Sequence, residues 1–183
     1  MQKASPHWFF IPAALFITGS AVISLLFSRE VIHMEMNSWH SPFTDRLFRW
    51  WTFLGDGWVL LGLIIVTLFW RIRVALVTLT AYLFSGLMTQ IMKRVFFKEM
   101  ARPSRFFELN DIGYELHLVP GVDLHSWNSF PSGHTTAAFA VFFGLSLFLP
   151  SASARFLSFL LAAGVAWSLI HLSQHFLMDV SAG

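Results

Sequence analysis

The chain has 183 residues, of which 56% are hydrophobic and only 12% are Asp, Glu, Lys or Arg, about half the ~25% usual in soluble domains. So little charge does not cover a soluble surface of this size, and it suits one domain whose outside is solvated by lipid. The net charge of +2 is not gathered into runs, which excludes a nucleic-acid stripe, and the lack of cysteine excludes disulfides, thiolate metal sites and thiol nucleophiles.

A helix needs about 20 apolar residues to cross the hydrocarbon core. Five stretches approach this: Trp8 to Phe27, Trp58 to Trp70 (or from Trp51, with Asp56 at the interface), Val74 to Met92, Gly133 to Pro150, and Phe156 to Leu172. The first exceeds the roughly 7–15 residues of a signal-peptide core, and no small-x-small cleavage site precedes Arg29 and Glu30, so it is expected to be an uncleaved anchor. Between the first two spans, Phe43, Leu47, Trp50 and Trp51 recur at helical spacing, with Asp45, Arg46 and Arg49 between them. That pattern predicts a short helix in the membrane interface, the alternative being a loop packed on the bundle. The fold expected is all-α: a multi-pass transmembrane helical bundle with short interfacial helices, forming a single domain over residues 1–183.

Lys3, the Arg71-Ile72-Arg73 turn and Arg155 lie in segments without acids, whereas the Asp and Glu residues fall on the opposite side or close to it. The positive-inside rule then predicts a cytoplasmic N-terminus.

Chemistry concentrates in three places. The polar segment from Lys93 to Phe130 carries Lys93, Arg94, Lys98, Arg102-Pro103 and Arg105; any one of these cations alone reads equally well as a contact to lipid phosphates. Pro131-Ser132-Gly133-His134 follows, at the start of an apolar helix. Free amides and the positive end of a helix dipole suit an anion there, Gly133 admits close approach, and His134 stands beside it as a proton donor; the plain alternative is an ordinary helix cap. Finally, His175 and Asp179 share a face if the segment is helical. A carboxylate on one imidazole nitrogen fixes the tautomer and frees the other as nucleophile or base, although such a pair is often only structural. His171, His175 and Asp179 also form an i, i+4, i+8 series that would suit a metal, but no fourth ligand is evident.

Taken in order, these residues resemble the type 2 phosphatidic acid phosphatase superfamily, particularly its bacterial membrane members. The resemblance rests on KRVFFKEMARP from Lys93 to Pro103, on PSGH at 131–134 and on SLIHLSQHFLMD from Ser168 to Asp179, supported by NSWHSPF, FLGDGW and WNSFPSGHTTAAF. It implies a bundle of six spanning helices, five of them present here. It implies His175 as the nucleophile that forms a phosphohistidine, Asp179 as its orienting carboxylate and His134 as the acid for the leaving alkoxide. Lys93, Arg102, Ser132 and Gly133 are the implied phosphate cradle, with no metal or other cofactor. The implied substrate is a membrane lipid phosphate of the undecaprenyl pyrophosphate, phosphatidylglycerophosphate, phosphatidic acid or lipid A class. The implied setting is a bacterial inner membrane, with the site on the non-cytoplasmic face.

Three departures accompany the resemblance. Eight residues separate Lys93 from Arg102 where the family usually has six, which makes Lys98 a competitor. Leu169 occupies the position of a family arginine, with His171 as a partial substitute. The chain ends at Gly183, just after Asp179, where a last helix is expected, so the domain is read as C-terminally incomplete. These departures motivate an alternative: a degenerate member that binds lipid phosphate with little or no turnover.

Overall fold

Residues 5–183 are described by a computed structural model, so Lys3 lies outside the described residues. Among them the chain forms helices and no strand: α1 (His7–Leu26), α2 (Arg29–Ser38), α3 (Pro42–Trp51), α4 (Gly57–Leu68), α5 (Ile72–Ile91), α6 (Pro103–Leu109), α7 (Gly133–Ser146), α8 (Ala152–His171) and α9 (Leu177–Ser181). A 3₁₀ turn, Thr52–Gly55, precedes α4, and a π turn, Met92–Phe96, ends α5.

The helices start where the sequence supplies an acceptor for free amides. Ser41 caps α3 through Thr44 in a reciprocal capping box, with Pro42 as first residue. Asp56 Oδ1 takes the amide of Trp58 at 2.8 Å and starts α4. Ser132 and Ser151 open α7 and α8 in the same way.

His7–Leu26, Ile72–Phe96 and Ala152–His171 are each long and apolar enough to cross a membrane. Pro42–Gly55 and Gly57–Leu68 form a further span if taken together, bent by 58°. The predicted span from Gly133 to Pro150 is a helix of 14 residues, or roughly 21 Å at 1.5 Å per residue, shorter than a ~30 Å hydrocarbon core. The chain is a membrane protein whose α5, α7 and α8 pack side by side, with α1 laid against α8. Phe9 of α1 seats between Phe139, Phe143 and Phe159.

The interfacial region contains two helices, α2 and α3, where the residue pattern predicted one. On α3, Phe43 and Trp50 are exposed, whereas Trp51 turns inward and its indole donates to the Leu161 carbonyl at 3.2 Å. Gly164 makes this possible, because a Cβ there would collide with the Trp51 indole. The contact fastens the interfacial helix to α8, the helix that leads into His175.

Candidate active site

Helix α8 stops at His171, and Ser173, with φ of 54°, turns the chain before α9 begins at Leu177. His171, His175 and Asp179 therefore do not share one helical face, which corrects the continuous-helix geometry behind a three-ligand series. His171 instead points its Nε2 at Asp45 Oδ1 of α3, 2.8 Å away. His175 lies in the turn, and Asp179 reaches back to it from the first turn of α9.

Asp179 organises this end of the molecule. Its Oδ2 accepts the amide of Phe176 at 2.8 Å, faces His175 Nδ1 at 3.4 Å and accepts the hydroxyl of Ser129. Both His175 and Asp179 are 1% exposed. Burial pushes the His175 imidazole down to about 4, against the pull of Asp179, so the ring is neutral at pH 7. Burial alone would raise the Asp179 carboxyl, but hydrogen bonds from His175, Ser129 and the Phe176 amide hold it below the usual carboxylate range. A neutral imidazole engaged at Nδ1 keeps Nε2 as a free base or nucleophile.

The other predicted residues gather here. Arg102 donates through one guanidinium nitrogen to the Gln174 carbonyl at 3.3 Å, next to His175, and through Nε to the Trp127 carbonyl at 3.2 Å. Lys93 is buried in the π turn, where its ammonium donates to the Asn128 carbonyl at 2.8 Å. Lys98, the competitor, is exposed beyond the turn. The Ser132 amide donates to the Asp179 carbonyl at 2.9 Å, which joins the start of α7 to α9. A Cβ on Gly133 would meet only Thr89 Cγ2, at 3.8 Å, so no protein atom requires glycine and that side is open to a ligand. His134 is exposed and lies within reach of the charges of Asp56, Arg102, Lys93 and His125. Gly55 brings the FLGDGW turn against it, since a Cβ there would stand 3.1 Å from His134 Cβ.

Leu169 is 1% exposed within the apolar core, and its carbonyl accepts the amides of Gln174 and His175 at 2.9 and 3.2 Å. The main chain at 169 thus shapes the His175 turn, while the side chain brings no charge. His171, committed to Asp45, does not replace it.

Several contributors were not singled out by residue type. Trp127, Asn128 and Ser129 contact Arg102, Lys93 and Asp179 in succession, through two carbonyls and one hydroxyl. Their only sequence signal is the WNSF preceding PSGH. On the far side of the turn, Ser173 Oγ meets His33 Nε2 at 3.1 Å and accepts from Asn37 at 3.2 Å, so α2 braces the turn. Asn37 also exchanges hydrogen bonds with the main chain of His117, at 2.9 Å in each direction, and ties down the long loop.

A buried neutral imidazole, a fixed carboxylate, two cations and the amide end of a helix form an arrangement suited to a tetrahedral oxyanion. The family profile of the PAP2 superfamily matches residues 74–183. The fold is similar to the crystal structure of Aquifex aeolicus LpxE, at 26% identity and a TM-score of 0.69, covering 81% of this chain and 82% of that one. It is also similar to the crystal structure of the first transmembrane PAP2 type phosphatidylglycerolphosphate phosphatase from Bacillus subtilis. There the identity is 23%, the TM-score 0.65, and the coverage 100% of this chain and 89% of that one, a likeness of fold. No curated protein sequence matches the chain.

Proposed function

This chain belongs to the PAP2 superfamily, and on that footing we propose that it is a membrane phosphatase hydrolysing a lipid phosphate through a phosphohistidine, without a metal. The observation that carries the reading is the meeting of Lys93, Arg102 and the 131–134 turn around the His175–Asp179 pair.

In the proposed first step, Nε2 of His175 attacks phosphorus and forms a P–N bond as the bond from phosphorus to the lipid oxygen breaks. The leaving alkoxide takes a proton from His134, whose protonated form the negative charge of the bound phosphate favours against the downward push of desolvation and of the nearby cations. In the second step His134, now neutral, removes a proton from water, whose oxygen attacks phosphorus, and the P–N bond breaks to release inorganic phosphate. The charge in such a reaction spreads over the equatorial oxygens, so positioning and fixed positive charge do most of the catalysis. Lys93, Arg102 and the amides at Ser132 and Gly133 would supply that charge, the task a divalent ion performs in other phosphoryl-transfer enzymes. Asp179 would hold the ring and stabilise its positive charge as it bonds to phosphorus. The fold's likeness to a phosphatidylglycerolphosphate phosphatase supports lipid phosphates as the substrate class. We place the protein in a bacterial inner membrane with the site on the non-cytoplasmic face, as the cationic turns at Arg71, Arg73 and Arg155 favour.

The test is phosphate release from undecaprenyl pyrophosphate, phosphatidylglycerophosphate, phosphatidic acid and lipid A phosphates, in EDTA, by the purified protein and its His175→Ala variant. Release that survives EDTA and disappears in the variant is expected. Equal hydrolysis by the variant would remove His175 from the chemistry.

A second reading is favoured by one observation, the buried Leu169 at the position of the family arginine. On that reading the protein binds lipid phosphate but turns it over poorly. Saturable binding of a lipid phosphate without release, and a gain in release on Leu169→Arg, would select it.

A further inference from the structure

We propose that Ser129 is a positioning residue: its hydroxyl orients Asp179 and, through that carboxylate, the ring of His175. The proposal rests on the phosphatase reading for its catalytic consequence, but its geometric content stands apart from it.

The two oxygens of Asp179 are unequally used. Oδ2 faces three donors, the Ser129 hydroxyl, the Phe176 amide and His175 Nδ1, whereas Oδ1 is buried and has no partner among the described residues. Of the three, the contact to His175 is at 3.4 Å, the long end of the hydrogen-bond range. The ring therefore does not hold the carboxylate; the carboxylate is held by Ser129 on one side and by the α9 amide on the other. Ser129 is the side chain of that pair. Two firm donors on one oxygen settle which oxygen meets the imidazole and in what plane. This orientation favours a proton on Nδ1 and leaves Nε2 unprotonated.

Ser129 is equipped for the task. It is 1% exposed, and its own amide donates to the Met100 carbonyl at 3.0 Å. Its neighbour Asn128, with φ of 57°, turns its carbonyl to Lys93. One short segment thereby sets the spacing between a cation of the cradle and the carboxylate behind the nucleophile. A serine that only satisfied a buried carboxylate would shift the pH profile through the lost hydrogen bond but leave the tautomer of His175 unchanged.

The experiment compares the full chain with its Ser129→Ala variant, using two readouts. The first is the ¹⁵N spectrum of histidine-labelled protein in detergent micelles. His175 is expected as the Nδ1-protonated form in the parent and as a tautomer mixture in the variant. The second is the pH dependence of phosphate release. The variant is expected to lose kcat roughly 10- to 100-fold, the range seen when the partner orienting a working imidazole is removed, with KM changed less than about threefold. Its acidic limb moves to higher pH, because a lost hydrogen bond no longer favours the ionised carboxylate. The other charges facing Asp179 are His175 beside it, Lys93 at the end of α5, Arg102 ahead of α6 and His33 on α2, and all are untouched by the substitution.

An Nε2-protonated His175 in the parent, or a variant that keeps the parent's tautomer, overturns the proposal. The parent spectrum keeps the proposal open to refutation even where the variant does not fold, since an Nε2-protonated ring overturns it. Failure of the parent to release phosphate from any lipid counts against the phosphatase reading alone, because the spectra still decide the role of Ser129.

Discussion

The amide of Ser132 donates to the carbonyl of Asp179 at 2.9 Å, so residues 47 positions apart share one main-chain bond. Through it the N-terminal end of α7, with its free amides and Gly133, is fixed relative to the carboxylate behind His175. An anion seated on that helix end lies in a frame set by the carboxylate that faces His175. The cations approach the same place through main-chain contacts: Lys93 through Asn128, Arg102 through Trp127 and Gln174.

The competition between Lys93 and Lys98 yields a prediction. Lys93 is buried with its ammonium directed into the site, whereas Lys98 is exposed. Lys93→Ala is expected to lower kcat/KM for lipid phosphate by about 10²–10³, the loss typical of one preorganised donor. Lys98→Ala is expected to stay within about twofold. Phosphate release by the two variants under identical lipid conditions is the measurement; a loss confined to Lys98→Ala would return the assignment to Lys98.

A second prediction separates His134 from the rest of the site. If its role is to protonate the leaving oxygen, its removal matters most where that oxygen is a poor leaving group. His134→Ala is expected to lose roughly 10²–10⁴ on an alkyl phosphate, the usual contribution of general acid–base catalysis. It should lose clearly less in phosphoenzyme formation from p-nitrophenyl phosphate, whose phenolate leaves without a proton. The check is burst kinetics, since turnover also needs His134 as base in the second step. An equal loss in the burst rate for both substrates would make His134 a binding residue.

How much of this was legible in the sequence follows from which atoms do the work. Lys93, Arg102, Ser132, His175 and Asp179 enter the candidate site through side chains or a helix start, and their residue types and order announce them. Trp127 and Asn128 act through carbonyls, which every residue has, so type reveals nothing. The break after His171 was hidden for a related reason. The apolar run continues to Leu172, and the left-handed turn falls on Ser173, where no glycine or proline marks it. The pairing of His171 with Asp45 joins residues 126 positions apart and depends on α3 folding back over α8, which local spacing does not encode. Two helices in place of one before α4 reflect the charges of α2, which mask an interfacial helix braced by His33 and Asn37.

The last prediction concerns acid stability. His33 is 1% exposed, with Nε2 beside Ser173 and Nδ1 unpartnered among the described residues. Burial pushes it down to about 4, as it does His175. Both groups thus have folded values below their unfolded value near 6.5. Between those limits the unfolded chain binds protons that the folded chain does not, so stability rises with pH across this window and is lost on acidification. A tenfold difference in proton affinity between the folded and unfolded chain corresponds to about 1.4 kcal/mol, which sets the upper bound for each histidine at a few kcal/mol. Asp179 adds to the loss only lower down, as pH falls through its depressed folded value. The melting temperature in detergent is therefore expected to fall steadily from pH 7 to pH 4.5, and the slope should be clearly less steep in His33→Gln, which cannot take up a proton. A parent whose melting temperature is flat across this range would mean that the two imidazoles are not held neutral by burial.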